Sequence, residues 1–254
     1  MITPVHEAAA GFLPAAAASL AQQAVPLHWI ICFDGDEVPA DVRALVDTQC
    51  RTLVPALTLV ASKRQAGAAT ARMVALGLVG TPWTATLDAD DVWLPGGLDT
   101  LFETAVRTEA AWCAGLTVDV VDGLPVEYPD HLPTGPVAPR AVFAEFERRD
   151  SLPFVAGAMV WRTETLWDAG GWPALPACED TALVLAASER YAGYYLGGKP
   201  VYGYTKYPGQ TTSAPRHTAR LKIATAHHYR RIAAIRNAAG PPTRAAGLPA
   251  DCPQ

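Results

Sequence analysis

Long apolar runs are missing from this 254-residue chain. Its near-apolar stretches are broken by Pro, Gly or charge well short of the ~20 residues that a membrane-spanning helix needs. Basic excess is missing too. Twenty Lys and Arg face 25 Asp and Glu, for a formal charge of −5, which argues against a general nucleic-acid binder. A nucleotide ligand survives that exclusion, because a metal ion held on carboxylates can neutralise a diphosphate. Paired cysteines are absent as well: Cys32, Cys50, Cys113, Cys178 and Cys252 are scattered, odd in number and form no C-x-x-C. A reducing compartment is therefore expected. The N-terminus lacks the basic start and long apolar core of a secretory leader, so the expectation is a soluble, cytoplasmic protein. Finally there is no G-x-S-x-G elbow, no P-loop and no G-x-G-x-x-G after a strand. Serine hydrolases, P-loop kinases and Rossmann dehydrogenases are disfavoured accordingly.

Half of the residues are hydrophobic, enough for the core of one large α/β domain. Short β-rich runs alternate with alanine-rich segments of helical length, the pattern of a mostly parallel sheet with crossover helices. Strands are predicted at Ile2 to Val5, Leu27 to Phe33, Leu57 to Val60, Trp83 to Leu87, Trp112 to Val121, Phe154 to Arg162 and Val201 to Thr205. Helices are predicted at Phe12 to Gln23, Asp41 to Cys50, Ala68 to Leu78, Gly97 to Thr108, Ala141 to Arg149, Thr181 to Tyr191 and Arg216 to Asn237. The Pro- and Gly-rich stretch from Asp122 to Pro139 reads as a long loop. The Pro-rich tail, residues 238–254, is expected to be poorly ordered.

Chemistry concentrates in Asp88-Ala89-Asp90-Asp91. Three carboxylates in four residues repel one another unless something positive sits among them. At the end of a buried strand, a D-x-D pair can share Mg²⁺ or Mn²⁺, hard ions that complete their shell with phosphates and water. The plain alternative is a helix cap on a solvated turn. Asp34-Gly35-Asp36 also ends an apolar strand, where open α/β sheets bind ligands; its alternative is a simple Asp-Gly turn. Glu179-Asp180 precedes a helix and offers a general base, or only an acid pair favoured by the helix dipole. Lys63, Arg64 and Arg72 could face a diphosphate, and Arg72 stands out because its neighbours are small and apolar. His227-His228 has basic neighbours and no metal-ligand spacing, so it reads as a solvated helix face.

Taken in order, these segments resemble family 2 inverting glycosyltransferases with the GT-A fold. The resemblance runs through Thr3-Pro4-Val5-His6-Glu7, Phe33-Asp34-Gly35-Asp36, Gly67 with Ala71-Arg72-Met73, and Leu87-Asp88-Ala89-Asp90-Asp91 with Pro95. It continues in Gly170-Gly171-Trp172 with Glu179-Asp180, and in Tyr204 to Thr212. It implies one Rossmann-like domain over residues 1–237: a nucleotide-sugar half (1–110), an acceptor half (111–213) and a C-terminal helix (214–237). Pro4, His6, Asp34, Arg72, Asp88 and Ala89 would line the nucleotide sugar, most simply a UDP-sugar. Asp90 and Asp88 would bind Mn²⁺ or Mg²⁺. Asp180 would be the base, with Glu179 beside it, in an inverting hexosyl transfer to a small metabolite or glycan. His6, Met73, Thr205 and Tyr207 depart from the pattern, Tyr207 standing where a His is frequent. A sugar-phosphate nucleotidyltransferase would need a Gly-rich basic loop after the first strand, and none is present. A catalytically silent nucleotide-sugar binding protein is the other alternative.

Overall fold

The computed structural model describes residues 1–127, 129–207 and 217–239. Its strands are β1 (Ile2–Val5), β2 (Trp29–Phe33), β3 (Leu57–Ala61), β4 (Trp83–Ala85), β5 (Val92–Trp93), β6 (Trp112–Gly115), β7 (Thr117–Val121), β8 (Leu124–Glu127), β9 (Gly135–Val137), β10 (Met159–Arg162), β11 (Gly193–Leu196) and β12 (Tyr202–Lys206). The helices are α1 (Leu13–Leu20), α2 (Ala40–Leu45), α3 (Ala68–Leu76), α4 (Gly97–Arg107), α5 (Ala141–Arg149), α6 (Thr163–Asp168), α7 (Glu179–Arg190) and α8 (His217–Ala239). Among the described residues, no helix is long and apolar enough to cross a membrane.

β1, β2 and β3 form a parallel sheet in the spatial order β1-β2-β3. All five residues of β2 are buried, because helices cover both faces and every second side chain enters a different core. Trp29, Ile31 and Phe33 join the cluster that contains Leu13 and Ala17 of α1. Ile30 and Cys32 join the one that contains Ala71 and Ala75 of α3. A second sheet runs β4-β10-β6-β11-β9. The two sheets meet at one parallel bridge between Ile2 and Thr86, beside a hydrogen bond from Leu87 N to Ile2 O of 2.9 Å. The result is the mixed α/β sheet with flanking helices that the sequence implied, with β10 inserted antiparallel between β4 and β6.

The apolar run from Trp112 to Val121 reads as one strand but divides into two. β6 pairs with β11, whereas β7 joins a third sheet of order β5-β12-β7-β8. The crossing falls at Gly115, where an added Cβ would lie 2.4 Å from Val201 Cγ2. Only glycine lets β6 and the approach to β12 come this close. The expected loop over Asp122 to Pro139 is corrected likewise. It contains β8, which turns back on β7 through Asp122 and Gly123, both at positive φ, and β9, which pairs with β11. The Asp122-Gly123 turn makes β8 a local hairpin with β7, while for β9 pairing supplied by the distant β11 overrides the Pro- and Gly-rich composition. Residues 240–254, the bulk of the tail expected to be poorly ordered, lie outside the described residues.

Candidate functional site

The strand ends gather the acids. β1 and β2 are parallel, and the Ile2–Thr86 bridge makes the chain leading into Leu87 parallel to β1. Asp34 and Asp88 therefore emerge at one edge of the sheet with β1 between them, two strand spacings or roughly 10 Å apart. This is the crevice edge of an open α/β sheet.

Asp34 accepts hydrogen bonds from Ala66 N at 2.8 Å and from Gly67 N at 3.0 Å. It thereby pins the loop that leads into α3, with Gly67 at φ 89° as the helix cap. Lys63 and Arg64 of that loop are exposed, away from the acid cluster's interior. Pro4 is buried in β1, opposite Cys32, and His6 is exposed at the strand's end.

Arg72 is the cation that the acid cluster requires. It is 5% exposed. Its Nη2 reaches Asp88 Oδ1 at 2.5 Å and its Nη1 reaches Glu179 Oε1 at 2.6 Å. Burial alone would push the guanidinium down; Asp88, Glu179 and Asp180 outweigh it and hold the group above its ordinary value. One side chain on α3 thus joins the D-x-D turn to the Glu-Asp pair at the start of α7. Its Nε is buried without a hydrogen-bond partner. Met73, where the family pattern carries Asn, fills space beside Gly171: a Cβ there would lie 2.2 Å from Met73 Sδ. That contact seats the Gly170-Gly171-Trp172 turn on α3, with both glycines at positive φ.

The acids in the D-x-D turn have different environments. Asp91 is 2% exposed. It accepts from Tyr202 Oη at 2.9 Å and from Thr205 N at 2.9 Å. Burial, then Asp88 and Asp90, push its carboxyl well up, against the pull of those two bonds. It is an internal tie to β12, a role not readable from the cluster itself. Asp90 is half-buried and accepts from Tyr207 Oη at 2.9 Å. The Tyr207 ring lies against Phe12, with centroids 5.0 Å apart. Ala89 is buried, so the turn exposes Asp88 and Asp90 on either side of it. Among the described residues, no three His, Cys, Asp or Glu side chains are grouped to hold a metal. Two carboxylates on an Asp88–Asp90 turn suit a hard ion that takes the rest of its shell from phosphate and water.

Asp180 is half-buried and accepts from Thr181 N at 2.6 Å. Burial, then Glu179, raise its carboxyl to about 6, against the opposing field of Arg72. A cavity of about 10 Å³ lies beside it, lined by Arg72, Thr86, Asp88, Gly157 and Trp172 among others, the size of a single water molecule. The larger hollow of about 1140 Å³ lies elsewhere, along β3 between α2 and α3. It contains none of Asp34, Asp88, Asp90 or Asp180, so the chemistry, rather than volume, identifies the site.

One reading is overturned. His228 is not on a solvated face: it is 3% exposed, its Nε2 contacts Cys178 O at 3.2 Å, and Phe146 of α5 meets its ring edge-on. The basic neighbours misled, because Arg231 turns inward and donates to Ala169 O and Ala182 O. Of the late motif from Tyr204 to Thr212, residues 208–212 lie outside the described residues.

Among solved structures, the chain is similar to S. aureus TarS 1–349 in complex with UDP-GlcNAc, at 18% identity and a TM-score of 0.68, covering 94% of this chain and 71% of that one. The same protein in complex with UDP aligns at 18% identity and a TM-score of 0.64, over 94% and 70%. A further S. aureus TarS structure aligns at 18% and 0.63, over 91% and 42%. These likenesses concern the fold. No curated protein sequence matches the chain. The glycosyl transferase family 2 model matches residues 1–167, which include Asp34, Arg72 and the whole Asp88 to Asp91 turn. The chain belongs to glycosyl transferase family 2.

Proposed function

We propose that this protein transfers a hexosyl group from a UDP-sugar to an acceptor hydroxyl with inversion, Asp180 serving as general base. The observation that carries the reading is the Arg72 bridge, which joins Asp88 to Glu179 and so brings a donor-type acidic turn next to Asp180, the residue after Glu179, whose carboxyl is raised to about 6. That value suits a base working near neutral pH. The UDP-GlcNAc and UDP complexes of S. aureus TarS favour a uridine donor. In this reading, residues 1–110 take the donor, with Pro4, His6, Asp34, Arg72, Asp88 and Ala89 along it. Residues 111–213 receive the acceptor, a small metabolite or a glycan.

Asp90 and Asp88 would hold Mn²⁺ or Mg²⁺, which supplies charge neutralisation for the leaving diphosphate. Asp180 takes the proton from the acceptor hydroxyl, whose oxygen attacks the anomeric carbon from the face opposite the diphosphate. A single displacement of this kind inverts the centre. Glu179 stays paired with Arg72 and keeps the guanidinium from collapsing onto Asp180. Tyr207 holds Asp90 by its hydroxyl, and Asp91 keeps the turn in place from beneath.

Two variants test the assignment together. Asp180→Asn should lower turnover of a UDP-sugar by at least about 10²-fold, the range of a lost general base, while UDP affinity measured by calorimetry with Mn²⁺ stays within about two-fold. Asp90→Ala should do the reverse, weakening Mn²⁺-dependent UDP binding. Near-normal turnover in the first variant sinks the base; unchanged binding in the second sinks the metal site.

A further inference from the structure

Cys178 stands immediately before the Glu179-Asp180 pair with φ 54° and ψ 35°, a left-handed backbone disfavoured for any residue with a Cβ. Something must hold it there. Its carbonyl accepts the first bond of α7 from Ala182 N at 3.0 Å, and the same oxygen accepts from His228 Nε2 at 3.2 Å. His228 sits on α8, about 50 residues away in sequence, wedged against Phe146 of α5. With its proton on Nε2, the ring leaves Nδ1 buried and without a hydrogen-bond partner. That orphaned nitrogen is a cost the site bears for the bond to Cys178.

Arg231 lies three residues further along α8. It donates to Ala169 O and, at 3.5 Å, to Ala182 O. The helix therefore grips the Gly-Gly-Trp turn and its return to α7 at both ends. Further along, Arg236 clamps the buried Glu189 of α7 with two bonds of 2.7 Å. A helix without a single Asp or Glu thus spends its inward cations and its buried His on one neighbouring segment.

We infer that α8 is the positioning element of the reaction, and that His228 fixes the strained Cys178 peptide so that the Asp180 carboxylate faces the acceptor. The inference rests on Asp180 being the base. His228 touches neither donor nor acceptor in this account; it acts through the Cys178 carbonyl. A displaced base costs rate in the chemical step and leaves binding of the donor alone.

The test uses hydrolysis of UDP-GlcNAc with Mn²⁺ by the full chain. His228→Leu keeps the apolar packing and removes the donor; kcat should fall roughly ten-fold with KM within about two-fold. His228→Gln, whose amide can reach the same carbonyl, should recover most of that loss. Should the Leu variant fail to fold, His228→Asn replaces it, since its shorter amide cannot span to Cys178. Equal kcat in wild type and the Leu or Asn variant overturns the inference. So does an equal fall in Gln and Leu, which would mean packing alone. Asp180→Asn is assayed alongside: if it stays active, the base assignment has failed, whereas a dead Asp180→Asn beside a normal His228→Leu condemns only the positioning role.

Discussion

Asp180 and Asp91 are both carboxyls raised by burial and by neighbouring acids, yet they meet different partners. Asp91 is sealed by Tyr202 and the Thr205 amide and serves the fold. Asp180 keeps a side open to the small cavity that Arg72 and Trp172 line. Its raised value has a definite sign in stability. Between about 4 and 6 the folded protein holds a proton that the unfolded chain gives up, so stability falls as pH rises across that window and is recovered below it. With Asp180 as the proposed base, turnover should climb as pH rises through about 6, where the folded carboxyl ionises. Urea unfolding of wild type and Asp180→Asn at pH values from 4 to 6.5 should show curves that diverge with rising pH, the variant losing less. Parallel curves would place the proton elsewhere, Asp91 being the next carboxyl to vary.

At the scale of elements, the joints are made by side chains that cross from one helix to another. Glu189 has its side chain 1% exposed and is held by Arg236 of α8, with Arg140 at 3.7 Å. Arg236 also lies over the Phe143 ring at 4.8 Å. Removing Arg236 would leave the buried Glu189 charge with only the longer Arg140 contact, and an under-compensated buried charge costs more than the pair contributes. Arg236→Met should therefore lower stability by about 2–4 kcal/mol, read as a shift in urea midpoint, and amide exchange along α8 should accelerate before that of β2.

These joints also explain what the sequence could and could not disclose. Strands β1, β2 and β3 and helices α3, α4 and α5 were legible because local patterns decide them: Trp29-Ile30-Ile31-Cys32-Phe33 is buried on both sides, and the alanine-rich stretch from Ala68 has no competing turn. β9 and β11 were hidden because they pair with each other from far along the chain, through residues such as Gly193 and Gly135 that look like loop formers. β8, in contrast, folds back locally on β7 through Asp122 and Gly123, an Asp-Gly turn that could have signalled a hairpin. Asp34, Arg72, Asp88, Asp90 and Asp180 were named from the sequence, and the structure brings Arg72, Asp88 and Glu179 into contact. His228 was missed because charge in the neighbouring residues signals solvent, whereas Arg231 turns its charge onto carbonyls inside.

For the molecule as a whole, the decisive arrangement is that the Asp88 turn and the start of α7 converge on one guanidinium. Arg72→Met would leave Asp88 and Glu179 facing each other across a poorly solvated gap. The expected loss is about 3 kcal/mol, softened by the partial exposure of Asp88, and Asp180 should lose the field that now favours its ionised form. Calorimetric unfolding gives the first quantity; the acid limb of the rate profile, moved to higher pH, gives the second.

The single bridge between Ile2 and Thr86 has a mechanical consequence. A ladder one rung wide resists sliding but offers little stiffness against rotation, so the joint between the two sheets behaves as a seam. It runs beside the Asp88 turn, and the Arg72 ion pairs with Asp88 and Glu179 are one of the side-chain braces across it. Load placed on the acidic turn by an arriving anion is therefore passed in part to α7 through the Arg72 side chain. In an Arg72→Met protein, the Leu87 amide, whose bond to Ile2 O closes the seam, should exchange with solvent faster than the amides of β2, which are braced by strands on both sides.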